Sequence, residues 1–548
     1  MDSDLAPTQT QEHVDVELIP GTEIMRDHDG VRLERGNHSH SVLVPQPSFA
    51  PSDPLNWSRP WKYFVTFTWS LYVFVAVMSA LSLAPMNGLL AVYFKLEGTQ
   101  IGLLTGVCVL TLGYANFIIV PCSNIFGRRV TGIVFAVFAV ATTVWEGAAK
   151  SHGSFLGARA MNGIATATAE TMMVQIIADM FFVHERGKWM GVYFASYFMG
   201  LFLGPVIAGN IAERAGWRSF FWLSAGLAGL NLINLIFGAP ETRWSRRAEH
   251  PAPDVDLANI PNASSDINSS DDDKQAVRHV EHTLEDGPKD NVHPPLGLGR
   301  PSRAQFSLLQ PIASDWKLTL FRDVLAPWTK FFNPIILWAG FMVAGPANLL
   351  LLWNLTESSL LGAPPYNFTP SQIGYTNFAF AVGGIVGLIT AGPLSDYLAK
   401  RSTERNGMIR EAESRLPALI PFCVLTIIGM VIGGIGYQRV WSWPSILVVA
   451  FGFTGLCVTS IPTIAIAYAV DCFTPISGDI MVVATVLKNT LGFGMSYWVF
   501  DVEASNGILT VAMIQFALVV APMVLTIPIY YYGKSLRRMT KDSSWHKR

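Results

Sequence analysis

The chain has 548 residues, of which 51% are hydrophobic and only 14% charged, with a net charge of -2 and a mean hydropathy of +0.35. Soluble domains carry about 25% charged residues, so this composition excludes an ordinary soluble domain and points to a polytopic membrane protein. The near-zero charge gives no basis for nucleic-acid binding, and the five cysteines (Cys108, Cys122, Cys423, Cys457, Cys472) lie scattered in or beside apolar runs, as packing residues rather than metal ligands.

Residues 1–50 are polar, without the apolar stretch of a cleaved leader, and are expected to be disordered. D-P-L-N-W-S follows at 53–58. Trp57, Trp61 and Tyr63 beside Arg59 and Lys62 read as an interfacial anchor, which completes a tail of residues 1–62. Twelve apolar segments come next, near 63–84, 101–123, 130–149, 154–178, 189–211, 218–239, 331–355, 372–395, 417–437, 444–469, 481–500 and 508–532. About 20 apolar residues cross a bilayer as a helix. The predicted fold is therefore an all-α membrane protein with twelve transmembrane helices. A segment at 240–330 divides the spans six and six, so two six-helix bundles are expected at 63–239 and 331–532, with a tail at 533–548. The middle of that segment, N-A-S-S-D-I-N-S-S-D-D-D-K, reads as a disordered linker. Its end mixes Leu, Trp and Phe with charges, and a surface-lying amphipathic helix is expected near 316–325.

An even number of spans puts both termini on one side. Lys and Arg number fifteen in one set of short loops plus the C-terminal tail, against five in the opposite set. This places both termini in the cytosol.

Ionisable residues inside the spans are costly and face a partner, a polar interior or a water-filled path. Arg159 and Glu170 share the fourth span, 11 positions apart. That is close to three helical turns, so they lie on one face about 16 Å apart along the axis. They fit either an ion-paired bundle or a transport pathway. A carboxylate in a low-dielectric cavity has its pKa raised and can exchange a proton near neutral pH, which makes Glu170 the coupling candidate and a counter-ion for a cationic substrate. Arg159 would then tune it. Glu146 lies near the end of the third span, where water is expected to reach it. Lys488 and Asn489 lie in the eleventh span. Lys488 is about 10 Å from the span's end and reads equally as a pathway residue or a snorkelling lysine. Buried, it needs an acid partner, Asp471 or Glu170. Asn348, Tyr375 and Tyr468 add polar groups to spans 7, 8 and 10. With Tyr193, Tyr197, Trp338 and Trp353, the tyrosines are available to stack on a planar or cationic substrate, although each alone also fits lipid-facing packing. The sequence has no G-x-x-x-x-G-K-[ST] loop, no H-E-x-x-H and no nucleophile elbow. Neither ATP-driven transport nor an enzyme is expected.

The two halves repeat. V-P-C-S-N-I-F-G-R-R at 120–129 and G-P-L-S-D-Y-L-A-K-R at 392–401 are offset by 272 residues, each after the second span of its half. This resembles the major facilitator superfamily, whose loop pattern is G-x-L-x-D-x-x-G-R-R/K. The second copy keeps the acid as Asp396, while the first has Asn124. Residues 159–163 resemble the motif of span 4, whose arginine the family associates with proton coupling. G-L-F-L-G-P-V-I-A-G at 200–209, with Gly200, Gly204, Pro205 and Gly209, resembles the antiporter motif of span 5; small residues at that spacing also serve tight packing alone. P-E-T-R-W at 240–244 resembles the family signature after span 6. H-E-R-G-K-W-M-G-V-Y at 184–193 and N-G-M-I-R-E-A-E-S-R-L-P at 406–417 are similar to a fungal drug:proton antiporter branch that includes polyamine and cation transporters.

The resemblance implies two pseudo-symmetric bundles working by alternating access. Asn124, Arg128, Arg129, Glu185, Arg186, Glu241 and Arg243 in the first half, with Asp396, Lys400 and Arg401 in the second, are then expected to gate the cytosolic end, unless they are only the positive-inside signal. The expected function is proton-coupled efflux of a small organic compound, a drug or secondary metabolite, across the plasma membrane. Uptake of polyamines or other organic cations is the alternative, and a non-transporting receptor or sensor is the rival of another class. The expected partners are the substrate, protons as coupling ion and the lipid bilayer. A monomer is expected, with no metal, other cofactor or nucleic acid.

Overall fold

The computed structural model describes residues 22–24, 47–48, 50–244, 296–308, 312, 316–406, 409–473 and 476–540. Most of the N-terminal tail and the Ser- and Asp-rich middle of the linker, both expected above to be disordered, lie outside these residues. The first six long helices are α1 (Arg59–Leu81), α2 (Thr99–Tyr114, continuing as Asn116–Phe126), α3 (Arg128–Ala148), α4 (His152–Thr166 and Thr168–Met180), α5 (Val183–Ala215) and α6 (Trp217–Gly238). The second six are α7 (Pro334–Gly362), α8 (Pro370–Arg405), α9 (Leu419–Gln438), α10 (Trp443–Cys472), α11 (Ser477–Asn506) and α12 (Ile508–Thr540). Ten of them are long and apolar enough to cross a membrane by length and composition alone. The other two differ for physical reasons. α4 carries Arg159, Asn162, Glu170, Gln175 and Asp179 among small residues, and α11 carries Asp479, Lys488, Asp501 and Glu503. Besides the helices, the described residues hold a ribbon of two short strands, β1 (Thr22–Ile24) and β2 (Ile409–Glu411), paired antiparallel with Thr22 opposite Glu411.

Helix pairings repeat between the halves. α1 packs on α5, α2 on α4 and α3 on α6; correspondingly α7 packs on α11, α8 on α10 and α9 on α12. The bundles meet through α2 against α11 and α5 against α8, two contacts related by the same six-helix offset. Lipid gives little hydrophobic drive for helix association, so close approach by small residues decides it. Gly102 and Gly106 of α2 face Ser496 of α11, and Gly113 faces Asn489. Gly209 of α5 and Gly374 of α8 lie against each other's backbones. The outer faces are apolar, with Val134 and Val137 on α3, Ile233 and Phe237 on α6, and Val382 and Ile389 on α8 exposed, as a hydrocarbon solvent requires.

Two segments flanking the spans are built differently from expectation. Trp57 is fully buried in protein and donates its indole N–H to the Ser52 carbonyl at 3.0 Å, so it is not an interfacial anchor. Asp53 explains this. Its carboxylate accepts from the backbone N–H groups of Leu55 and Ser48, both at 3.0 Å, and folds residues 53–57 into a plug sealed by Gly299. The linker helix spans Trp316–Lys330, longer than expected. Leu318, Phe321 and Leu325 are exposed while Asp323 and Lys330 are buried. Asp323 and Lys330 therefore turn to protein while the apolar residues turn outward beside the exposed Lys317 and Arg322, the mixed apolar and basic surface of a helix lying at a membrane surface.

Candidate functional site

The charges that join the two bundles are Glu170 on α4 and Lys488 on α11. Lys488 Nζ donates to Glu170 Oε1 at 2.6 Å, with Lys488 mostly and Glu170 almost wholly buried. The Tyr197 hydroxyl donates to the same oxygen at 3.1 Å, and the Tyr193 hydroxyl to the Glu170 carbonyl, also at 3.1 Å. The ammonium also lies 5.9 Å from the centre of the Tyr197 ring, within cation–π reach. Asn348 donates to the Lys488 carbonyl at 3.3 Å, and Asn489 fills the gap left by Gly113. Glu170 Oε2 is buried and has no hydrogen-bond partner among the described residues, which leaves an oxygen for a proton or a ligand. Lys488 thus points across the interface rather than toward a helix end. The other candidate partner, Asp471, accepts from Arg415 at 2.7 Å.

Arg159 does not face Glu170. Both it and Glu146 are fully buried, paired at 3.2 Å, so water does not reach Glu146 as expected. The guanidinium also donates to the carbonyls of Leu104, Ser79 and Ala80, where α1 and α2 close over it. Asn162 donates to the second Glu146 oxygen at 3.3 Å. Arg159 is therefore committed inside the first bundle, where a buried ion pair with its remaining hydrogen bonds satisfied can persist.

At the basic end, most of the residues expected to bridge the bundles work inside one. Gly127, at φ 100°, lets the chain turn into α3. The Glu241 carboxylate accepts the backbone N–H groups of Arg128, Arg129 and Arg243 at 2.9, 3.1 and 2.8 Å, and so caps α3. A Cβ at position 127 would collide with that carboxylate, so the G-R-R loop and the P-E-T-R segment interlock. Arg129 donates to carbonyls ending α6, Arg186 to those ending α4 and Arg243 to those ending α2. Burial lowers the Arg243 guanidinium from its usual range, and Glu241 opposes this. Arg128 pairs with Asp179 at 3.0 Å, and Glu185 lies half-buried at the start of α5. In the second bundle Arg415 joins Asp396, at 2.6 Å, to Asp471, while Lys400 and Arg401 are exposed. Asn124 reaches out of its bundle. It accepts from Arg128 at 2.9 Å and donates to Asp323 of the linker helix at 2.6 Å. The linker helix thus supplies the acid that the first loop copy lacks. Trp328 of the same helix stacks on Phe117 of α2, ring centres 5.2 Å apart, and a small cleft there is closed by Val483 and Val486 of α11.

The direct contacts between bundles extend from the Glu170–Lys488 pair to the opposite end. Thr490 donates to Tyr114 at 3.2 Å, Thr99 to Asp501 at 2.9 Å and the Ser371 N–H to Glu213 at 2.9 Å. Tyr375 belongs here, donating to Asn210 at 2.7 Å rather than lining the centre. Tyr468 lies elsewhere, buried within the second bundle against Trp338 and Glu413. The antiporter-type motif faces two ways. Gly200 and Gly204 sit on α1, against Phe74 and Ser82, whereas Gly209 and the backbone at Pro205 sit on α8. The sequence reading missed Glu357, fully buried near the end of α7, because the span was expected to stop at residue 355. It also missed the buried Arg537–Glu413 pair at 2.5 Å, since Arg537 counts in sequence only as a tail charge.

This arrangement has relatives. Protein HOL1 of Saccharomyces cerevisiae is 27% identical over 96% of each chain. Efflux pump vrtL of Penicillium aethiopicum is 24% identical over 90% of each. The crystal structure of the human organic anion transporter MFSD10 (TETRAN) superposes with a TM-score of 0.52 at 14% identity, covering 85% of this chain and 99% of that one; this likeness is one of fold. Relatives and fold alike are those of transporters rather than enzymes. The Major Facilitator Superfamily profile matches residues 69–496, more than half the chain, and the protein belongs to that superfamily of transporters.

Proposed function

We propose that the protein is a proton-coupled secondary transporter of the plasma membrane that exports a small organic compound in exchange for protons. Its termini and basic end lie in the cytosol. The observation that carries this reading is the Glu170–Lys488 pair, which holds α4 of one bundle to α11 of the other at 2.6 Å. A proton on Glu170 removes the charge that holds Lys488, and a cationic substrate competes for the same carboxylate. Either event weakens the tie between bundles, and a change of even a few kcal/mol shifts a two-state equilibrium by orders of magnitude. Export follows from the antiporter-type motif on α5 and from relatives named as efflux pumps.

Uptake of an organic cation such as a polyamine is the second reading, and one observation favours it. The Lys488 ammonium rests on a carboxylate and the face of Tyr197, the surroundings that a primary ammonium group seeks. Transport into inside-out vesicles under an imposed pH gradient, over cationic and neutral compounds, separates these readings. Proton-driven accumulation supports export, accumulation only in right-side-out vesicles supports uptake, and no accumulation of any compound supports a receptor.

A further inference from the structure

Glu357 is fully buried on α7, about 8 Å from the end of that helix at Gly362. The Asn377 side-chain amide on α8 donates to both of its oxygens, at 3.2 and 3.3 Å. Among the described residues no lysine, arginine or histidine forms an ion pair with it. This sets it apart from Glu146, Glu170 and Glu413, each of which has a cation. An ionised carboxylate without a cation is expensive inside a membrane protein, and such residues mark ion or proton sites by default.

The surroundings supply a second observation. Among the described residues, three buried polar atoms on neighbouring side chains have no hydrogen-bond partner: Asn377 Oδ1, the Tyr437 hydroxyl and the Trp353 indole nitrogen. Trp353 is one helical turn before Glu357, and its ring centre lies 5.7 Å from that of Tyr437 on α9. Tyr437 is close enough to Glu357 to interact with its charge. Unsatisfied donors and acceptors beside a buried carboxyl are the kind of partners that a buried water or a mobile proton requires. The other groups packed here are Thr376 on α8 and Phe451 on α10, with Ala512 of α12 behind α9. Tyr366, in the loop after α7, lies against Tyr437, ring centres 6.5 Å apart, and donates at the surface to the Trp441 carbonyl at 2.6 Å. Two tyrosine rings, those of Tyr437 and Tyr366, therefore lie between the surface at Trp441 and the Glu357 carboxyl.

We propose that Glu357, with Asn377, Tyr437 and Trp353, is a second proton-carrying site of this transporter, separate from Glu170 and confined to the second bundle. It takes a proton from the side opposite the basic loops: the carboxylate and a hydronium ion give the carboxylic acid and water, and the reverse step returns it. The next two residues tie this chemistry to the gate. Ser358 accepts the Gly88 N–H at 3.2 Å across the bundle interface, and Ser359 donates to Glu503 of α11 at 3.2 Å. Movement of the last turns of α7 on opening that end therefore changes the surroundings of the carboxyl. The inference rests on the proton-coupled reading for its purpose, but not for its detection.

Infrared difference spectra of the purified protein in lipid, between low and high pH, test it. The expected result is the C=O stretch of a protonated, buried carboxyl that is lost in Glu357→Gln and retained in Glu170→Gln. A spectrum unchanged by Glu357→Gln overturns the proposal. Should that variant not fold, Asn377→Leu decides, because removing the amide that donates to both carboxyl oxygens must shift the band; an unshifted band is a refutation. Transport found to be independent of protons while the band persists counts against the functional reading and leaves the site standing.

Discussion

Neutralising Glu170 is the perturbation whose effect the geometry defines best. Removing one partner of a buried ion pair costs about 3–5 kcal/mol. Lys488 retains some solvent, its side chain being 18% exposed, and glutamine can still accept a hydrogen bond. We therefore expect about 2–3 kcal/mol of the cost to fall on the closed state, a shift of about 30- to 160-fold in the ratio of the two states. Spin labels at Lys95 and Ser505, both exposed at the end opposite the basic loops, report that end by double electron–electron resonance. The wild type should show a short distance at high pH and gain a longer one as pH falls. Glu170→Gln should show the longer component at every pH. Lys488→Met should also lose the pH dependence, and the double variant should cost less than the sum of the two single changes. A distance distribution in Glu170→Gln that matches the wild type and keeps its pH dependence would refute the reasoning.

Three further outcomes follow from particular contacts. Asn124→Asp sets a second carboxylate within 2.6 Å of Asp323, so hydrogen exchange across 316–330 should rise, and adding Asp323→Asn should reverse it. Glu146→Gln leaves Arg159 buried without its carboxylate and should lower thermal stability by about 3–5 kcal/mol; combining it with Arg159→Met should recover most of the loss. Gly204→Ala drives a methyl into the Ser82 hydroxyl at about 1–3 kcal/mol, and Ser82→Ala should relieve it, both read by thermal unfolding of the purified protein.

Much of the fold was legible because bilayer crossing leaves a length and hydropathy signal that needs no partner. The repeated loops at 120–129 and 392–401 gave the division into halves for the same reason, being local in sequence. The pairings were not legible. Arg159 and Glu170 share a helix, yet one is held by Glu146 from α3 and the other by Lys488, 318 residues on. Only the packing of α2 against α11 and of α3 against α4 decides that. The arginines at the basic end look alike in sequence, and helix ends nearby in space make them caps. Trp57 beside basic residues carries the composition of an anchor, and Asp53 turns it inward. Glu357 had the same burial argument behind it as Glu170 and was passed over only because the span boundary fell two residues short.

The most direct test of the central claim follows substrate and proton together. Proteoliposomes holding the wild-type protein or Glu170→Gln, with a pH-sensitive dye inside and a transported compound outside, report both fluxes in one trace. A proton flux opposite to the substrate, present in the wild type and uncoupled in Glu170→Gln, is the predicted result. Coupled flux of unchanged size in Glu170→Gln would contradict it.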